Sequence, residues 1–301
     1  MALLASDRES GASEILDEVI AILQDTRRSG VPLKPVARAL VRAQPSMAPV
    51  WNAVLEAVAS ESRPERFDRF TERVARSPAA LARFAAECFA PADPRAGRPE
   101  PRRGAVEPGA GPLRLVTISF SRSVAIVIDA VRRARPIRVS CSESRPALEG
   151  RRLAAQLASA GVPVTCFGDA AIGHALAAAD AVVFGADAVG PEWFLNKSGT
   201  RMLAAAAAQQ GVPVYVAATR DKFVSHAVGA RLVVGEGAAP EVWDGPPPGV
   251  EVRNPYFEST PLDLVTGIIS DVGVLGAGMV PEVCNSAHDP ITLRALAVLK
   301  A

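Results

Sequence analysis

Two spacings of apolar residues divide the chain. In the N-terminal part they recur every three to four positions. Ile15, Leu16, Val19, Ile20, Ile22 and Leu23 make one such stripe, with Ser13 as its expected cap, acids at its start and Arg27 and Arg28 at its end. The same spacing predicts further helices over 35–43, from Pro45-Ser46-Met47 through Val58, over 64–75 and over 78–89, with Pro78 separating the last two. Residues 1–90 therefore read as an all-helical domain. Residues 91–112 carry repeated Pro, Gly and Arg and almost no large apolar side chain, the composition of a linker.

From residue 113 short apolar runs alternate with helical stretches. Strands are predicted over 113–118, 137–141, 162–167, 181–184 and 212–217, and helices over 124–133, 148–160, 170–178 and 200–210. Such repetition builds a doubly wound, mostly parallel, Rossmann-like sheet. The fold class is α/β, with residues 113–301 forming the sheet domain behind the helical one.

In an open parallel sheet, ligands bind beyond the carboxyl ends of the strands, so chemistry is sought there. Gly185-Ala186-Asp187 follows the run 181–184 and sets a carboxylate just past a strand end, either as a site acid or as a turn residue. Asn196-Lys197-Ser198-Gly199-Thr200 leads into a helix, and Ser119-Phe120-Ser121-Arg122-Ser123 follows the first strand. Helix starts attract anions, so Ser121, Arg122, Gly199 and Thr200 are candidate phosphate contacts or ordinary caps. Ser119 is a nucleophile only if a base lies beside it. Arg145 is either a phosphate clamp or the ion-pair partner of Glu143. Asp169 ends the third strand, and Lys222 is placed to reach the crevice or to lie on the surface.

Composition narrows the partners. The chain has 33 basic and 32 acidic residues, a net charge of +1, which argues against nucleic-acid binding through a basic surface. No apolar run has the length of a membrane span. The N-terminus turns acidic too early for a signal peptide, and the four cysteines form no CxxC pair, so a reducing cytoplasm with buried thiols is expected. Three scattered histidines give no metal cluster, and no GxGxxG or GxxxxGK[ST] follows a strand.

Read together, ESRP, EGRRLAAQLASAGVPVTCFGDAAIG, FGADAV, LNKSGT, TRDKF and VRNPYFESTPLDLVTGIISDVGVL resemble the translation initiation factor 2B alpha/beta/delta family. That family includes methylthioribose-1-phosphate isomerase and archaeal ribose-1,5-bisphosphate isomerase, and VRNPYFESTP lies nearest the second. SGVPLKPVARAL and QPSMAPVWNAV resemble its helical domain more loosely.

The resemblance implies Asp187 as the catalytic acid. It implies Ser119 at the place of the isomerases' cysteine, with Ile118 where they have histidine, and Ser29-Gly30-Val31 where they carry an R-G-A phosphate loop. Arg122, Arg145, Asn196, Lys197 and Lys222 match positions that hold phosphate and sugar. The implied reaction protonates the ring oxygen of an aldose 1-phosphate and moves a hydrogen between C2 and C1. A low-pKa thiol does this well and an unassisted serine poorly. Two functions follow: an aldose–ketose isomerase with Asp187 as its acid, or a non-catalytic sugar-phosphate or nucleotide binder like the family's regulatory subunits. No cofactor is implied. A homodimer or larger even homo-oligomer is, pairing through the C-terminal domain, where residues 262–269 and 272–275 form an apolar segment suited to the contact.

Overall fold

The apolar stripe at the N-terminus forms α1 (Ala12–Arg28), which buries Ile15, Leu16, Val19 and Leu23. Its cap is Gly11 rather than Ser13, because the Glu14 carboxylate turns back and accepts the Gly11 N–H at 2.8 Å. α2 (Leu33–Ala43) and α3 (Ala48–Ala59) follow. α3 is apolar on nearly every side and forms the centre of the helical core, as such a helix must. These coordinates are a computed structural model that describes residues 11–90 and 111–299. The linker expected over 91–112 lies outside them, apart from Gly111 and Pro112.

Where the pattern predicts two helices divided at Pro78, one helix, α4 (Glu65–Cys88), runs through. A proline inside a helix costs about 3 kcal/mol. Here the two halves are anchored in different cores: Phe67 and Phe70 in the helical core, Leu81 and Ala85 against the sheet. At about 1.5–3 kcal/mol for each large apolar side chain buried, that anchoring outweighs the lost hydrogen bond. Ser77 ties this stretch further, its hydroxyl lying 2.9 Å from the Arg73 carbonyl and 3.0 Å from the Asp271 carboxylate.

The sheet is built from β1 (Leu113–Thr117), β2 (Ile137–Ser142), β3 (Val164–Phe167), β4 (Ala181–Phe184), β7 (Val214–Ala217), β9 (Gly267–Ser270) and β10 (Gly273–Leu275). Their order is β10-β9-β7-β4-β1-β2-β3, parallel throughout except for the β10 hairpin. α5 (Arg122–Ala134) and α6 (Glu149–Ser159) cover one face with the end of α4. A 3-10 helix over Asp169–Ala178, where an α-helix is predicted, and α7 (Thr200–Gln209) cover the other. Alternate residues of β4 serve the two faces: Val182 and Phe184 one, Ala181 and Val183 the other.

A second, three-stranded antiparallel sheet joins β5 (Ala188–Val189), β6 (Trp193–Lys197) and β8 (Phe257–Pro261). Short α8 (His226–Gly229) and α9 (Val280–Ser286) precede α10 (Pro290–Leu299), which buries Ala295 and Leu296 in the N-terminal helical core. The apolar run 262–275 is mostly not a free surface: Leu262, Val265, Ile268, Ile269 and Leu275 are buried around β9, an inner strand between β7 and β10, and Val272 is the exposed one of its large apolar side chains. Cys141 and Cys284 are buried thiols, each pushed up to about 12 chiefly by burial, whereas Cys166 is exposed. Among the described residues no helix is long and apolar enough to cross a membrane.

Candidate functional site

The chain leaves β1 for β2 and β3 on one side, then returns to β4 and continues to β7 on the other. The strand order therefore reverses between β1 and β4, and a crevice opens beyond their carboxyl ends. A cavity of about 220 Å³ fills that place. Ser119, Phe120, Ser121 and Arg122 enter it after β1, and Ala186 and Asp187 after β4. The two strand ends meet at Gly185, where a Cβ would stand 2.5 Å from Ser121 Oγ, so only glycine lets the start of α5 close against β4.

Asp187 is held by its backbone. Its N–H donates to Leu195 O at 2.8 Å and its carbonyl accepts the Ala48 N–H at 3.0 Å, so both the small sheet and the start of α3 fix it. Its carboxyl faces the cavity, and among the described residues no hydrogen bond to it forms. Burial raises it to about 6, against the pull of Lys222 and Lys197 and with a push from Glu149. Lys222 is itself buried, and burial lowers it against the opposing attraction of Asp221 and Asp187. Lys197, at the end of β6, pairs with Glu149 at 2.7 Å and lies 4.2 Å from the centre of the Tyr256 ring. Asn196 Nδ2 donates to Thr200 Oγ1 at 2.9 Å, and that hydroxyl donates to Lys197 O at 2.6 Å.

Ser119 sits in the left-handed region at φ 62°, a strained conformation for serine of the kind found at sites. Its N–H donates to Ser144 Oγ at 2.7 Å, and Asp169 accepts the Ser144 and Arg145 N–H groups at 2.6 and 2.7 Å. Asp169 thus ties three strand ends together and does not line the cavity. Among the described residues no histidine or carboxylate hydrogen-bonds Ser119 Oγ. Ser121 caps α5, its Oγ accepting the Val124 N–H at 3.4 Å, and Arg122, the first residue of that helix, pairs with Asp17 of α1 at 2.6 Å.

The cavity gathers Asp187, Ser119, Ser121, Arg122, Asn196, Lys197 and Lys222, and leaves three candidates outside its lining. Arg145 is exposed and joined to Glu143 at 3.1 Å. The start of α7 is occupied: Glu258 Oε1 accepts the Gly199 and Arg201 N–H groups at 2.7 and 2.9 Å. Thr200 is buried in its contacts to β6. Ser29, Gly30 and Val31 are exposed and also lie outside the lining. The N-terminal residues that do line it are Gly11, Ala12 and Ser13 at the start of α1 and the stretch 43–47 between α2 and α3.

Sequence reasoning missed that stretch, Glu149, Tyr256 and the segment 233–237, all of which line the cavity. Glu149 Oε2 is buried with no hydrogen-bond partner. It follows Leu148 at φ 60°, and no residue signal short of the fold turns it inward. Among the described residues no three His, Cys, Asp or Glu side chains gather to hold a metal ion.

Behind Lys222 lies a satisfied polar bolt. Asn52 of α3 donates through Nδ2 to Asp221 O at 2.7 Å and Phe223 O at 3.0 Å, and its Oδ1 lies 2.7 Å from His288 Nε2. His288 Nδ1 accepts the Ser225 N–H at 3.3 Å, which leaves Nε2 as the protonated nitrogen that donates to Asn52. Burial lowers His288 to about 4 and keeps it neutral. The arrangement can hold an anion at a helix start that no carboxylate caps, bind hydroxyl groups, and deliver a proton from Asp187.

A family model described as the initiation factor 2 subunit family matches residues 4–277. A methylthioribose-1-phosphate isomerase of Albidiferax ferrireducens is 36% identical over 175 residues, 54% of this chain and 48% of that protein. A ribose 1,5-bisphosphate isomerase of Methanocaldococcus jannaschii is 32% identical over 157 residues, 51% of this chain and 51% of that one. The matches thus span about half the length of these relatives. In structure, a translation initiation factor eIF-2B from Pyrococcus horikoshii superposes with a TM-score of 0.67 at 23% identity, covering 91% of this chain and 94% of the other.

Proposed function

The chain belongs to the initiation factor 2 subunit family, and from that premise we propose that it binds a phosphorylated pentose of the ribose-1,5-bisphosphate type in the cavity between β1 and β4. Asp187 is the acid that protonates the sugar. The observation that carries this reading is its carboxyl: enclosed, without a hydrogen-bond partner among the described residues, raised to about 6, and flanked by Lys197 and Lys222. An acid near that value still holds a proton in a useful fraction of molecules at neutral pH, as a general acid must. The start of α5, with Ser121 and Arg122, is the phosphate seat. The sugar hydroxyls meet Asn196, Lys197 and the open Oε2 of Glu149.

The second half of an aldose–ketose isomerisation, hydrogen transfer between C2 and C1, falls to Ser119. Its hydroxyl has no base among the described residues, so this step is slow in the natural chain. That same observation favours a second reading, a sugar-phosphate or nucleotide sensor that assembles like a regulatory subunit. Pentose 1-phosphates and 1,5-bisphosphates, screened by calorimetry for binding and by ketose formation for turnover, test both. Tight binding with turnover supports the isomerase, tight binding without it the sensor, and failure of every sugar phosphate to bind refutes the site.

A homodimer or larger even assembly belongs to this proposal. One relative of the fold is described as a tetrameric eIF2B-beta2-delta2 complex from C. thermophilum. In this chain Val233, Val234, Val242, Trp243 and Val250 are exposed in a single segment beside the cavity, the apolar surface a second copy would cover. Sedimentation as a monomer at micromolar concentration would reject it.

A further inference from the structure

A second cavity, of about 50 Å³, lies on the far side of the Asn52–His288 bolt from the sugar site. It is lined by Arg73 of α4, Arg220 at the turn after β7, Asn52, Glu56, Phe70 and His288, among others. Its polar groups are almost all spoken for. Glu56 accepts from Arg66 through both oxygens, at 3.1 and 3.0 Å, and Asn52 and His288 are saturated by each other and by backbone. Two groups remain. Among the described residues neither the Arg73 nor the Arg220 guanidinium makes a hydrogen bond or an ion pair. The Arg73 guanidinium lies over the face of the Phe70 ring, 5.1 Å from its centre.

Two guanidinium groups facing one small space repel each other, and each offers several donors with no acceptor. Burial and the charge of Arg220 both lower Arg73. Asp221 and Asp271 lie near enough to attract it, but Asp271 is engaged by the Arg220 N–H at 2.7 Å and by Ser77. Forked guanidinium donors match the oxygens of a tetrahedral oxyanion. The space admits one such ion or a few waters and excludes a sugar or a nucleotide.

We infer that this cavity is a binding site for a free inorganic oxyanion, of the phosphate or sulfate class, held between Arg73 and Arg220. The ion joins α4 to the turn that carries Asp221 and Lys222, so filling the site stabilises the rear wall of the sugar cavity.

Thermal unfolding of the full chain in oxyanion-free buffer, with added inorganic phosphate or sulfate, tests this. Either anion, at about ten times its dissociation constant, is expected to raise Tm by about 3 °C. Arg122→Gln, which disables the sugar-site anion seat, keeps that rise. Adding Arg220→Gln to Arg122→Gln abolishes it, and Arg220→Gln alone unfolds no earlier than wild type without anion, because one repelling charge is gone. A phosphate effect that survives Arg220→Gln and vanishes in Arg122→Gln would assign all binding to the sugar cavity and overturn the inference. No anion effect in any form would mean that only water fills the site, and would overturn it equally. Neither result bears on sugar binding at Asp187.

Discussion

Two helix starts face the carboxyl edge of the sheet, and the sequence makes them look alike. Ser119-Phe120-Ser121-Arg122 opens α5 and Lys197-Ser198-Gly199-Thr200 opens α7. Around α7 the Glu258 carboxylate has already taken the Gly199 and Arg201 N–H groups. Around α5 the cap is a neutral hydroxyl, Ser121 Oγ, which accepts the Val124 N–H at 3.4 Å; the cavity-facing carboxyl of Asp187 receives no hydrogen bond among the described residues and is raised to about 6. One carboxylate is spent on structure and the other is kept available. A helix start is an anion site only where no carboxylate of the protein has claimed it first.

The contrast can be broken at the glycine that closes α5 against β4. Gly185→Ala forces a Cβ within 2.5 Å of Ser121 Oγ and 2.6 Å of Ser121 Cβ, so the helix start must shift. Sugar-phosphate affinity should fall by about 100-fold, roughly 3 kcal/mol by calorimetry, within the range of overpacking penalties.

The burial of Asp187 also has a stability signature. Its folded value of about 6 exceeds the unfolded one of about 3.9. Its contribution is therefore complete below the unfolded value and is lost as pH rises through 6. His288 has the opposite sign: held at about 4 against about 6.5 unfolded, it contributes fully above 6.5 and loses that as pH falls toward 4. Between pH 4 and 6 the two offset each other. Asp187→Asn should raise stability at pH 7 by about 2 kcal/mol and uncover a steep acid loss from His288, as read by urea unfolding across that window. A pH profile unchanged in this variant would place Asp187 in water.

The two starts themselves predict a smaller difference. Arg122→Gln should weaken binding of a sugar phosphate about ten-fold. Glu258→Ala should leave that affinity unchanged and lower stability by about 1 kcal/mol, the loss of a cap. An affinity loss from Glu258→Ala instead would mean that α7 is also part of the site.

What the sequence made legible was what is local. The run 181–184, its glycine and Asp187 are contiguous, as are Asn196 with Lys197 and Ser121 with Arg122, so strand-end chemistry could be read without the fold. What it hid depends on distant pairing. β5 is only two residues long and is a strand because β6 and β8 exist. Glu149 and Tyr256 reach the cavity only through the topology that brings α6 and β8 beside Lys197. The apolar run 262–275 looks the same whether it covers a partner or fills an inner strand, and Pro78 reads as a break unless the two cores that hold α4 are known.

The central claim is that the cavity binds a phosphorylated pentose with Asp187 as its acid and that Ser119, in place of a thiol, limits its turnover. Ketose formation from ribose 1,5-bisphosphate should be measured in wild type, in Ser119→Cys and in Ser119→Cys with Asp187→Asn, with affinity followed in parallel. The account predicts that Ser119→Cys raises turnover at least ten-fold and that adding Asp187→Asn removes it by about 10²-fold or more, at nearly constant affinity. Turnover that persists in the double variant, or a sugar phosphate that binds to none of the three, would contradict it.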